Sequence, residues 1–278
     1  MAIILDGKNL RDKLLSNLKE KIQKLPEAPS LAVILVGNDT ASQIYVNNKK
    51  KTAEKIGIKS QVITYPAEVE QKELLAKIQE LNNDNSVHAI LVQLPLPAHI
   101  NKTEVINAIS PDKDVDCFTS INYGKLAAGL TPAVYPCTPK GVLLLLDEYN
   151  ISLDGKHVVV AGRSNLVGKP MSLLALNRNA TVTICHSHTK NLAEITKTAD
   201  ILISAVGKDI INADMVKENC VVIDIGIFKD KNNKLRGDVD FEEVSKKVSY
   251  ISPVPGGIGP MTITSLMLNT YELFINKK

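Results

Sequence analysis

A chain of 278 residues has room for one large domain or two of ordinary size, and two is the expectation. With 44% hydrophobic and 23% charged residues it has the make-up of a globular protein, and a net charge of +3 is too small to argue for a nucleic-acid partner. No run of about 18 apolar residues occurs, and the amino terminus MAIILDGKNL has neither a signal nor a transit pattern, so a cytoplasmic protein with no membrane partner is expected.

Apolar runs alternate with amphipathic helical patterns along the chain, which predicts an α/β fold with mainly parallel sheets. A first helix is expected from near Asp6, because Leu10, Leu14, Leu18, Ile22 and Leu25 recur at four- and three-residue steps and stop before Pro26. Strands are predicted at Leu31–Val36, Gln61–Tyr65 and His88–Gln93, with helices at Ser42–Ile56 and Val69–Leu81 between them. Pro111–Thr138 is rich in turn residues, and Pro139–Tyr149 reads as a helix leading into a second series. That series has strands near His157–Ala161, Thr181–Cys185, Ile201–Ala205, Val221–Ile225 and Tyr250–Ser252. A last helix, Thr262–Ile275, follows a Pro/Gly-rich turn and is expected to return to the first domain. The division drawn is 1–139, completed by 261–278, and 140–260.

The segment from Lys156 to Leu176 carries the strongest single signal. A β-branched strand enters a turn bearing Gly162 and Gly168 and leaves as a helix, an arrangement suited to a dinucleotide phosphate. Ser164 stands where a second glycine is usual and the last glycine is one residue late, yet the helix start is expected to offer free N–H groups. Cys117, Cys137, Cys185 and Cys220 are scattered and read as reduced structural thiols. His186 and His188 are read as strand-end residues, not metal ligands, and no metal is expected.

In the first series, Tyr45 and Lys49 lie four apart on one helix face, where a ring and an amine can meet one ligand. A solvated basic face is the plainer reading, and Lys50 and Lys51 fit it. In HAILVQLPLP a hydrophobic strand ends in Gln93 before two prolines, and strand carboxyl ends are where open α/β sheets hold ligands. PDKDVDCF gathers three carboxylates. Asp116 is the candidate to bind a polar heterocycle, while Asp112 and Asp114 read as turn-formers or solvated charges.

Tyr45 with Lys49, VQLPLP from Val92, PDKDVD from Pro111, PCTPKG from Pro136, GRSNLVGKP from Gly162 and PVPGGIGPMT from Pro253 occur in this order. Together they resemble the bifunctional methylenetetrahydrofolate dehydrogenase/cyclohydrolase family over nearly the whole chain. Cys117 departs from the glycine many members carry there, which leaves the turn geometry open. The resemblance implies an N-terminal α/β catalytic domain that binds folate, a Rossmann-like NAD(P)-binding domain, and a homodimer. It implies oxidation of 5,10-methylenetetrahydrofolate to the methenyl cation with a nicotinamide cofactor, then hydrolysis to 10-formyltetrahydrofolate. Lys49 would transfer the proton of the hydrolytic step, tuned by a neutral Gln93 partner. Tyr45 and Asp116 would bind the folate, with Asp116 at the catalytic centre, and Pro255, Gly256 and Gly257 would line the other wall. The cofactor set would be Gly162, Arg163, Ser164, Val167, Gly168, Ser187, His188 and Ile227.

Cofactor choice rests on an absence. The second strand of the later series ends in Cys185-His186-Ser187-His188-Thr189, without the acidic residue that NAD sites use for the ribose hydroxyls, so NADP is expected over NAD. Two other classes are distinguishable: a nucleotide-sensing protein would have no need of Lys49, Gln93 and Asp116 together, and a shikimate-type dehydrogenase would lack VQLPLP and PVPGGIGPMT.

Overall fold

The computed structural model describes residues 1–231 and 233–277, which divide into two compact units: Lys13–Cys137 with the chain from Ile263 onward, and Met1–Asp12 with Thr138–Thr262.

The first unit is built on a three-stranded parallel sheet in the order Lys59–Tyr65, Ser30–Val36, Ala89–Val92. Its central strand reads SLAVILV, a continuous apolar run, because both faces are covered. Alternation sends Leu31, Val33 and Leu35 to one face, where they pack with Leu18 and Ile22 of helix Gly7–Gln23 and Val46, Ala53 and Ile56 of helix Thr40–Ile56. Ala32, Ile34 and Val36 point the other way, onto Leu74, Ile78 and Leu81 of helix Gln71–Asn83. Leu266, Met267 and Leu273 of the last helix complete the first of these cores, so the carboxyl-terminal helix does return to this unit. That helix spans Ile258–Asn276 and begins four residues before the expected start. Pro260 is accommodated because first-turn N–H groups have no intrahelical acceptor to lose.

The second unit carries a six-stranded parallel sheet in the order Ile3–Ile4, Tyr250–Ile251, Val221–Asp224, Ile201–Ser204, His157–Ala161, Thr181–Cys185. The edge strand Ile3–Ile4, paired with Tyr250–Ile251, was not expected. Two residues are too few to show a period, yet this pairing joins the first twelve residues to the second unit, unlike the division expected from sequence. The short antiparallel pair Phe228–Lys229 and Leu235–Arg236 was likewise not foreseen. Val158–Val160, Ile201–Ile203 and Val221–Ile223 are buried on both faces, the pattern of an interior parallel sheet. Strand His157–Ala161 has Thr181–Cys185 on one side and Ile201–Ser204 on the other. The chain therefore reverses its direction of travel across the sheet at this strand, and open α/β sheets hold ligands beyond the strand ends at such a point.

Candidate active site

Helix Thr40–Ile56 opens with an Asp39 cap, whose carboxylate accepts from Ser42 N at 2.7 Å. Tyr45 lies on this helix with an exposed ring, and one turn later Lys49 is half-buried. Gln93 follows strand Ala89–Val92 and prolongs its ladder, donating its backbone N–H to Ile34 O at 2.8 Å. The two side chains meet: Lys49 Nζ donates to Gln93 Oε1 at 2.9 Å. Gln93 Nε2 in turn donates to Leu94 O at 2.7 Å, which orients the amide with its oxygen toward the amine.

The PDKDVD segment is pinned beside this pair. Ile90 N donates to Lys113 O at 2.8 Å, and Lys113 itself is buried with Nζ donating to Leu81 O and Asp84 O. Asp114 is a turn-former, accepting from Phe118 N, Thr119 N and Asn122 Nδ2. Asp116, in the same segment, has the Cys137 thiol as a hydrogen-bond partner. Burial pushes its carboxyl above the ordinary range, with Asp114 adding to the rise, while the Lys49 charge and the Cys137 thiol pull it back. Tyr45, Lys49, Gln93 and Asp116 thus all belong to one unit, with Lys49 bonded to Gln93 and electrostatically coupled to Asp116. Cys117 adopts φ 59°, the left-handed conformation that glycine takes most easily, so the turn is formed despite the side chain.

In the other unit a cleft of about 460 Å³ opens beyond the strand ends, lined by Gly162, Arg163, His186, Ser187, Thr189, Ala205, Val206 and Lys208 among others. Gly162 has φ +124°, and a Cβ there would stand 2.5 Å from Ala205 O. A Cβ on Gly168 would collide with Gly162 O. Both glycines are therefore imposed by backbone meeting backbone. The expectation of free N–H groups at the helix start is corrected: Ser164 Oγ accepts from Val167 N at 3.1 Å and from Gly168 N at 3.4 Å, and Ser164 O accepts from Lys169 N. The serine in the second-glycine position is a local cap, and Pro170 has no N–H to give.

The cleft has Arg163 and Lys208 along its lining and, among the described residues, no carboxylate. Burial first, then the Arg163 charge, then His188, push the His186 imidazole below its ordinary value, so these three side chains lie within electrostatic reach of one another. Among the described residues no group of three His, Cys, Asp or Glu is disposed to hold a metal ion. Of the expected cofactor residues, Gly162, Arg163 and Ser187 line the cleft; Ser164, Val167 and Gly168 shape its turn, and His188 and Ile227 are outside the lining. Lys208 was not singled out from sequence, and His186 and Thr189 were named there only as part of the strand-end run, not as cofactor residues; only their position after strand ends marks them. Pro255, Gly256 and Gly257 lie in the loop between Tyr250–Ile251 and the last helix. Gly256 has φ +118°, and Gly257 O occupies the space a Cβ on Gly7 would need.

Two family models match the chain: the tetrahydrofolate dehydrogenase/cyclohydrolase catalytic domain over residues 5–116, and the NAD(P)-binding domain of the same family over residues 136–278. The bifunctional protein FolD of Ligilactobacillus salivarius is 53% identical over 277 residues, covering 98% of this chain and 97% of that one. The crystal structure of the bifunctional methylenetetrahydrofolate dehydrogenase/cyclohydrolase FolD from Campylobacter jejuni superposes with a TM-score of 0.98 at 50% identity, covering all of both chains. The Trypanosoma brucei enzyme, solved with NADP and an inhibitor, gives 0.94 at 35% identity over 99% of this chain and 98% of that one. This chain belongs to the bifunctional methylenetetrahydrofolate dehydrogenase/methenyltetrahydrofolate cyclohydrolase family.

Proposed function

We propose that the protein oxidises 5,10-methylenetetrahydrofolate to the methenyl cation with NADP and then hydrolyses it to 10-formyltetrahydrofolate. The observation that carries this reading is the 2.9 Å bond from Lys49 Nζ to Gln93 Oε1, with Asp116 electrostatically coupled to the same amine.

NADP, when bound, supplies the hydride acceptor of the oxidative step. The residues for holding it are Gly162 and Gly168, which admit close backbone approach, with Arg163 and Ser187 for a 2′-phosphate; the cleft's cationic lining, free of carboxylates among the described residues, suits that charge. His188 is the remaining residue proposed for this phosphate. On the folate side, Tyr45 offers its exposed ring to the pterin and Asp116 accepts from the pterin's amino and ring N–H donors.

Hydrolysis needs a base. As water attacks the cationic methenyl carbon, the new C–O bond forms and the oxygen must shed a proton, which Lys49 Nζ accepts in its neutral form. Gln93 suits this role because its amide oxygen orients the amine without adding a charge that would fix it as an ammonium. The same group returns the proton to the leaving ring nitrogen as the N–C bond breaks, while the carbinol O–H releases its proton to water as the formyl C=O forms. In solution the reading includes a homodimer.

Steady-state turnover of 5,10-methylenetetrahydrofolate with NADP or NAD, following reduced cofactor and methenyl decay, tests the whole scheme. Wild type reduces NADP in preference to NAD and consumes methenyl. Lys49→Ala loses roughly 10²- to 10⁴-fold in hydrolysis, the range for one proton-transfer group, while its nucleotide affinity stays intact. Hydrolysis at the wild-type rate in that variant removes Lys49 from the mechanism, and failure to reduce either nucleotide removes the dehydrogenase.

A further inference from the structure

We propose that Asp238 is a positioning residue for nucleotide binding: its buried carboxylate holds the loop 205–208 in the shape that forms one wall of the cleft, and Asp224 locks it there. The inference rests on reading that cleft as the nucleotide site.

Asp238 is fully buried just beyond the Phe228–Lys229 and Leu235–Arg236 pair. Oδ2 accepts from Ser204 Oγ and Val206 N, both at 2.7 Å, and Oδ1 accepts from Gly207 N and Lys208 N, both at 2.8 Å. Three successive backbone N–H groups therefore converge on one carboxylate, a nest of the kind that binds anions, here filled by the protein's own side chain. The loop so held contributes Ala205, Val206 and Lys208 to the cleft. It also carries the carbonyl of Ala205, the atom that leaves Gly162 no space for a Cβ. Moving the loop by a few tenths of an ångström would therefore move the cleft wall and release the Gly162 turn together.

Asp224, 3% exposed at the end of its strand, fixes Asp238 in place. Its carboxylate accepts from Asp238 N at 2.9 Å, Val239 N at 3.0 Å and Gly226 N at 3.0 Å. The two acids are interlocked through glycines. A Cβ on Gly226 would run into the Asp238 carboxylate, and a Cβ on Gly237 into that of Asp224. Each acid thus fills the space left by the glycine beside the other. Burying two carboxylates is costly unless their oxygens are hydrogen-bonded, and six backbone N–H groups with one hydroxyl meet that need here. None of these groups reaches a substrate; what they shape is the loop on which the nucleotide would lie.

Asp238→Asn puts an NH₂ against N–H donors, so it loses part of the nest. The test compares wild type, Asp238→Asn and Arg163→Ala by calorimetric titration with NADP, alongside methenyltetrahydrofolate hydrolysis without nucleotide. The expected result for Asp238→Asn is an NADP dissociation constant raised about tenfold or more, the scale of one charge-assisted hydrogen bond, with hydrolysis unchanged. If Arg163→Ala weakens NADP and Asp238→Asn does not, the positioning role is overturned while the cleft reading stands. If neither variant weakens NADP, the cleft is not the nucleotide site and both fall. Parallel loss of NADP affinity and hydrolysis overturns the proposal in favour of a general structural role. Should Asp238→Asn fail to fold, Ser204→Ala removes a single hydroxyl from the same carboxylate; it is expected to weaken NADP selectively by a smaller factor, and unchanged affinity there also overturns the proposal.

Discussion

The two candidate sites are made of different materials. In the unit that holds Lys49, the chemistry-bearing atoms belong to side chains, one from a helix and one from a strand end, meeting at 2.9 Å. In the unit that holds Gly162, the working surface is mostly backbone, and its shape comes from glycines with no room for a Cβ and from carboxylates that collect amides. A side-chain site fails when a functional group changes. A backbone site fails when something distant stops holding the chain, and the largest effects should separate along that line.

Gln93→Glu is the sharpest probe of the first kind. It keeps length and nearly keeps volume but sets a carboxylate where a neutral oxygen faces Lys49 Nζ, so the amine is held as an ammonium and cannot take up the water's proton. Hydrolysis at neutral pH is expected to fall by roughly 10²-fold or more, with recovery as pH is raised and with NADP affinity unchanged. A flat pH profile with full activity would show that the charge beside Lys49 is irrelevant.

Arg163→Ala probes the other site with a smaller and more selective effect. If the guanidinium binds a 2′-phosphate, the Michaelis constant for NADP rises about tenfold, on the scale of a lost charge-assisted pair, while that for NAD barely moves. Equal loss with both nucleotides would make Arg163 a structural part of the GRSNLVGKP turn.

The same contrast governs what the sequence could disclose. Residue type, helical spacing and a strand ending ahead of two prolines made Lys49 and Gln93 candidates but left a solvated lysine face and a strand-end cap open; the roles given to them and to Asp116 came from the family resemblance, and only the fold brings Lys49 and Gln93 to 2.9 Å. Gly162 and Gly168 were legible as glycines required at a strand–turn–helix junction. Ser164 was seen as a departure, but its capping of the helix start depends on the path of the turn, which spacing does not define. Asp238 was invisible: it bonds Ser204, thirty-four positions away, and nothing local distinguishes it from the neighbouring Asp240, which caps a short helix. The edge strand Ile3–Ile4 was missed for a similar reason, since its identity comes entirely from Tyr250–Ile251.

The smallest effect is a pH slope in stability. Burial pushes the Asp224 carboxyl up to about 7 from an ordinary 3.8, with the Asp238 carboxylate reinforcing the rise and the N–H groups of Asp238, Val239 and Gly226 opposing it. Between pH of about 4 and 7 the folded protein keeps a proton that the unfolded chain releases, so this group's contribution to stability declines as pH rises through the window and is level on either side. One proton sets the steepest slope, about 1.4 kcal/mol per pH unit. Asp224→Asn cannot titrate, so its unfolding free energy should lose this decline and run flatter than wild type from pH 5 to 7, whatever its absolute stability. Parallel curves for the two proteins would mean that the opposing N–H groups hold Asp224 ionised throughout, making the clasp a fixed pair of charges instead of one that takes up a proton near neutrality.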